Sequence, residues 1–74
     1  MVYQRIRDLR EDSDLTQTQM ANVLNCFQQT YSNYELGQRM IPPEVLIALA
    51  RFHHTSVYYL LGLTNVREPY PEAK

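Results

Sequence analysis

Twenty residues, Gln17 to Leu36, hold two apolar-patterned segments separated by only three residues, and that spacing leaves few ways to fold. Met20, Ala21 and Leu24 recur at helical spacing in the first segment, Tyr31 and Tyr34 in the second, which should run from Gln28 to Leu36. Asn25, between them, tolerates the left-handed conformation of a tight turn. Thr16 with Gln19 three positions on forms a capping box at the start of the first helix, and Gly37 is placed to cap the end of the second. Ala21 is small where the two helices must approach each other. Two short helices crossing through such a turn make a helix-turn-helix.

Helical spacing continues on both sides, and no run of strict alternation is long enough for a strand. A first helix is expected from Val2 to Glu11, with Ile6 and Leu9 inward and Arg5, Arg7, Asp8 and Glu11 outward; Ser13 and Asp14 break it. Pro43 in a first turn followed by Glu44 starts a fourth helix that reaches His53, with Leu46, Leu49, Ala50 and His53 inward and His54 where Asn or Gly would be more comfortable. Ser56 caps a fifth, Val57, Leu60 and Leu61 close the core, and Gly62 ends it. The expected architecture is all-α, five helices over residues 1–64, with residues 65–74, containing Pro69 and Pro71, as a flexible tail.

At 74 residues and 45% hydrophobic content there is material for one small core and little left for a deep cleft, so an enzyme is not expected. The single cysteine, Cys26, allows no internal disulfide and reads as a structural thiol in the turn. His53 and His54 are adjacent and so diverge on a helix, with no third ligand near in sequence, so neither metal nor cofactor is expected. The longest apolar stretches, such as Val45 to Ala50, are far too short to span a bilayer, and Met1 to Arg10 lacks a signal-peptide core. A soluble, cytoplasmic protein is the expectation. The net charge of −1 argues mildly against nucleic acid, but the distribution argues otherwise. Between Leu15 and Gln38 the only formal charge is Glu35, and eight of the ten Gln and Asn residues fall there, each able to donate and accept hydrogen bonds.

The runs L-T-Q-T-Q-M-A from Leu15, Y-S-N-Y-E-L-G from Tyr31 and S-V-Y-Y-L-L-G from Ser56 resemble the lambda-repressor-like, Cro-type helix-turn-helix regulators, also called the xenobiotic-response-element family, over Ile6 to Leu63. The resemblance implies that the second helix of the pair lies in the major groove of DNA. Gln28, Gln29, Ser32 and Asn33 then face base edges, while Gln17, Thr30, Gln38 and Arg39, with Arg5 or Arg7, lie near phosphates. It further implies an ion pair between Arg10 and Glu35, which would remove Arg10 from the DNA-binding cations. Phe27 departs from the pattern, standing where such proteins usually have a Ser or Thr cap, and the reading helix carries no Lys or Arg. Few counterions would be released, so a homodimer on a palindromic site is expected. Only one of Tyr58 and Tyr59 can face the core; an exposed Tyr58 with Val45 and Phe52 on the outer face of the fourth helix would suit a two-fold contact.

The functional expectation is sequence-specific binding of double-stranded DNA by a transcriptional repressor, with no small-molecule ligand, since the length leaves no room for a sensing domain. The alternative is a protein-interaction module of antitoxin or antirepressor-target type, using Phe27, Tyr58 and neighbouring apolar surface on the same scaffold.

Overall fold

A computed structural model describes residues 3–69, which form five helices: α1 (Gln4–Asp12), α2 (Gln17–Val23), α3 (Gln28–Leu36), α4 (Pro43–Phe52) and α5 (Val57–Leu60), with no strand among the described residues. Val2, expected to open the first helix, lies outside the described residues; α1 ends one residue later than expected and α4 one residue earlier, with His53 as its C-cap.

Every helix stops in the same way. Asp14, Asn25, Gly37, His54 and Gly62 all have φ between +53° and +77°. The N–H of each bonds to the carbonyl three residues back, and the N–H of the following residue (Leu15, Cys26, Gln38, Thr55, Leu63) bonds to the carbonyl five residues back. This is the Schellman closure, which satisfies carbonyls that a helix end would otherwise leave bare. Thr16 and Ser56 accept from the N–H groups of Gln19 and Tyr59, and the Gln19 side chain accepts in return from the Thr16 N–H. Most helix boundaries are therefore set within a few residues of sequence.

The core consists of Ile6 and Leu9 from α1, Met20 and Ala21 from α2, Tyr31 and Tyr34 from α3, Ile41, Leu49 and Ala50 from the fourth-helix region, and Leu60 from α5. Leu24, Cys26, Leu46 and Val57 pack against it half-buried. Val45 does too, which corrects its expected place on the outer face of α4; a residue two positions on, Ile47, is the exposed one.

Arg5 is the second correction. Instead of pointing outward toward phosphates, its guanidinium donates to the carbonyls of Tyr59 and Thr64 and to Asn65 Oδ1 (2.9 Å), and lies 4.1 Å from the centre of the Tyr59 ring. The cation is consumed in fastening the segment after α5 onto α1. Thr55, buried, donates its hydroxyl to the Arg67 carbonyl, so tertiary hydrogen bonding runs to residue 67, past the expected start of the tail.

Across the other side of α1, Arg10 meets Glu35 of α3 with Nε–Oε2 at 2.7 Å and Nη2–Oε1 at 3.2 Å, and a third donor reaches the Leu15 carbonyl. Glu35 is only 4% exposed. Burial pushes its carboxyl pKa up, but hydrogen bonds, that of Arg10 foremost, outweigh this and hold it below the ordinary carboxylate value. Removing one partner strands a buried charge, which costs about 3–5 kcal/mol, whereas replacing both with apolar residues is often neutral. Glu35→Ala is therefore expected to lower the thermal midpoint by more than about 10 °C, at roughly 4–8 °C per kcal/mol for a domain this size. Arg10→Met with Glu35→Leu should recover much of that loss; calorimetry in which the double variant melts no higher than Glu35→Ala would contradict this account.

His53 yields a second expectation. Its Nε2 is buried without a hydrogen-bond partner, and burial, with the nearby positive Arg67, holds its pKa below the ordinary value. The unfolded chain takes up this proton near pH 6.5 while the folded site resists it, so stability present above about pH 6.5 is lost progressively as the pH falls below that value and through the lower folded-state pKa. Melts between pH 7.5 and 5.5 should show a declining midpoint, and His53→Leu should flatten the decline; an equal slope in the variant would assign the effect elsewhere.

Candidate nucleic-acid interface

The exposed face of α3 and the N-terminal end of α2 form one surface, because the turn through Asn25 (φ +55°) brings the two helices into contact. Gln28 and Gln29 are exposed in the first turn of α3, and Ser32 and Asn33, half-buried, stand four residues further along the same two rows. Thr30 is half-buried toward the interhelical turn, and Gln38 and Arg39 are exposed just beyond the Gly37 cap. The residues singled out as base-facing thus share one helix face, and those after the helix flank its C-terminal end.

The amides on this face are already oriented. Gln28 donates from Nε2 to Gln17 Oε1 at 2.7 Å, and Gln17 donates from its own Nε2 to Glu35 Oε1 at 3.1 Å. A continuous chain therefore runs from the Arg10 guanidinium through the buried carboxylate and Gln17 to the first residue of α3. Gln29 donates to Asn33 Oδ1 at 3.2 Å along the helix. The sequence pattern missed the Gln17–Gln28 link because the two residues are eleven positions apart and meet only when the turn closes. Gln17, expected near phosphate, has both ends of its amide engaged within the protein, and its second amide hydrogen is the donor that remains.

Tyr31, on the inward side of the same helix, is wholly buried. Burial, with the neighbouring Glu35 carboxylate, pushes its phenol pKa far above the ordinary value, so it stays neutral. Its hydroxyl lies beside Glu35 without reaching hydrogen-bonding geometry. Tyr31 and Tyr34 are core residues, as their spacing implied, not stacking platforms. Cys26 is half-buried, and burial raises its thiol pKa, which suits an unreactive structural role.

Phe27 is the N-cap of α3 and makes no side-chain capping bond; the residue is 83% exposed. Among the described cations, Arg5 and Arg10 are bound internally and Arg7 lies 3.5 Å from Glu11, leaving Arg39 as the exposed guanidinium next in sequence to α3. No group of three or more His, Cys, Asp or Glu side chains suited to a metal ion occurs among the described residues, and no described helix is long and apolar enough to cross a membrane.

Away from α2 and α3 in sequence, α4 and α5 frame an apolar groove of about 410 Å³ lined by Pro43, Leu46, Ile47, Val57 and Tyr58. Of the three residues expected to form a two-fold contact, Tyr58 is exposed and lines this groove, Phe52 is exposed but lies outside its lining with its ring edge-on to His53, and Val45 is half-buried.

Comparison with known proteins agrees with this geometry. The chain is 38% identical over 74 residues to the uncharacterized HTH-type transcriptional regulator YobD of Bacillus subtilis (strain 168), covering all of this chain and 66% of that protein. It is 34% identical over 70 residues to the cryptic phage CTXphi transcriptional repressor RstR of Vibrio cholerae, covering 92% of this chain and 63% of that protein. The chain thus spans just under two thirds of the length of these relatives. No solved structure matches. Residues 4–57, which include α1 to α4 and the Schellman turns between them, match the family described as a helix-turn-helix domain, and the chain belongs to that family.

Proposed function

We propose that this protein is a Cro-type repressor that binds an inverted repeat in double-stranded DNA as a homodimer, with α3 in the major groove. The observation that carries the reading is the hydrogen-bonded chain that fixes Gln28 at the head of α3 while leaving it groove-competent. An amide has two donor hydrogens and an acceptor oxygen. With one hydrogen on Gln17, Gln28 keeps the other and its oxygen, the pair that matches N7 and the N6 amino group of adenine. Gln29, held to Asn33, can read the neighbouring pair, and Ser32 and Asn33 extend the contact one turn on. Arg39 and Gln38 at the end of α3, with Thr30 and the remaining amide hydrogen of Gln17, supply backbone contacts that set register rather than sequence. The naming of one relative as a repressor and of the other as a transcriptional regulator supports this reading.

So few free cations near α3 imply little counterion release, hence weak binding by one protomer and a shallow dependence on salt. A second protomer doubles the contacts. The α4–α5 groove with Ile47 and Tyr58 is the surface that best suits a two-fold contact, and half-sites one helical turn apart would require the two reading helices to lie roughly 34–36 Å apart. The same groove is what favours the alternative, a protein-binding module, because an apolar cleft accepts any complementary partner.

Selection from a random duplex pool at low salt should enrich an inverted repeat with adenine opposite Gln28 or Gln29. Gln28→Ala with Gln29→Ala should then lose at least about tenfold in affinity for that site, at 1–3 kcal/mol per bidentate contact, while keeping its helical circular dichroism and its residual binding to random DNA. A folded wild-type protein that enriches nothing would transfer the reading to the protein-binding alternative.

A further inference from the structure

We propose that Phe27 is a specificity-determining residue that reads the C5-methyl group of a thymine beside the base pair addressed by Gln28. The inference rests on the reading of α3 as the major-groove helix. Its first ground is that the ring does nothing evident for the folded protomer. Phe27 occupies the N-cap of α3 with extended backbone (φ −73°, ψ 149°), a position where a hydroxyl would accept a backbone N–H, yet it makes no capping bond. The residue also stays 83% exposed instead of joining the core that Cys26 and Tyr31, on either side in sequence, pack into.

Its second ground is placement. Phe27 immediately precedes Gln28, whose amide is fixed 2.7 Å from Gln17 and through it to Glu35. The N-terminal end of a reading helix is the part that meets base edges, so a ring at the N-cap is carried to the same depth as that amide. Chemistry supplies the third ground. A phenyl ring has no hydrogen-bonding group, so it gains nothing at a phosphate or at the donor and acceptor edges of the bases. The apolar group that the major groove offers is the thymine methyl, and Phe is among the side chains that contact it. Reading α3 would then combine two chemistries, with amides recognising adenine and an aromatic ring recognising the methyl group of an adjacent base pair.

The test uses the full chain and its selected duplex, with each thymine replaced in turn by deoxyuridine, which removes only the methyl group. Wild-type protein should lose about fourfold in affinity per half-site at one thymine adjacent to the Gln28-facing pair, the effect of withdrawing one buried methyl. Phe27→Ser should respond equally to thymine and deoxyuridine at that position. It should also melt higher than wild type, since serine restores the cap. Phe27→Leu, which keeps an apolar side chain, should retain the discrimination. Wild-type indifference to deoxyuridine at every position, or unchanged discrimination in Phe27→Ser, would overturn the assignment while leaving the DNA-binding reading intact. Loss of self-association by Phe27→Ser in the absence of DNA would also overturn it, giving the ring to a second copy of the chain. A wild-type protein that binds no duplex would remove the underlying reading instead.

Discussion

The buried contact between Arg10 and Glu35 is what the remaining geometry hangs from. It crosses from α1 to α3, it is shielded from water on the carboxylate side, and one of its acceptor oxygens, Oε1, is shared with Gln17. Net stabilisation from such a pair is modest, because taking both charges out of water costs nearly as much as their attraction returns. Its value is directional. A guanidinium fork fits a carboxylate in few orientations, so α3 is held at a defined angle to α1. The neutral Tyr31 hydroxyl beneath leaves the charge balance undisturbed. From Glu35 the constraint passes through Gln17 to Gln28, so that a buried ion pair sets the orientation of an exposed amide on the reading face.

That arrangement gives the face an unusual electrostatic character. Arg10 is spent on the core and Arg5 on the segment after α5, which leaves a surface of neutral amides flanked by Arg39 and by Arg7, which borders Gln17 and Leu36 and is shared with Glu11. Affinity built from neutral hydrogen bonds depends on geometry more than on ionic strength, because it releases few counterions. A pre-oriented amide has less rotamer entropy to lose on contact, which partly offsets the missing charge. The two roles of the arginines and the neutrality of α3 are thus linked, since the cations that could have supplied long-range attraction are used to hold the scaffold rigid.

The scaffold itself relies on local closures. A small chain buries a limited share of its surface, and α2 and α5 are too short to be stable alone. Each end is secured by a left-handed residue, and three of those five are not glycine. Asp14, Asn25 and His54 accept a conformational cost, smallest for Asn and Asp, that tertiary packing makes up. Arg5 completes the enclosure by tying the last helix and the residues after it to the first.

The five helices, their capping residues and the inward positions of Ile6, Leu9, Met20, Ala21, Tyr31, Tyr34, Leu49 and Leu60 were legible in the sequence, because helix periodicity, capping boxes and Schellman turns act within about six residues. So was the placing of Gln28, Gln29, Ser32 and Asn33 on one face, which follows from 3.6 residues per turn. What the sequence could not assign was the use of long, flexible side chains. Arg5 was equally plausible as a surface cation and became an internal fastener because residues 54 to 60 positions away place two carbonyls and an amide around it. Val45 was read as outward and packs inward, because the rotation of α4 is set by the helices it meets and not by its own pattern. Gln17 and Gln28 looked like separate contacts and became one hydrogen-bonded unit only when the turn closed. Short-range rules determined which segments are helical and which faces are apolar; the tertiary structure alone decided which polar groups are spent inside and which remain for a partner, because those choices depend on atoms that meet only after the chain has folded.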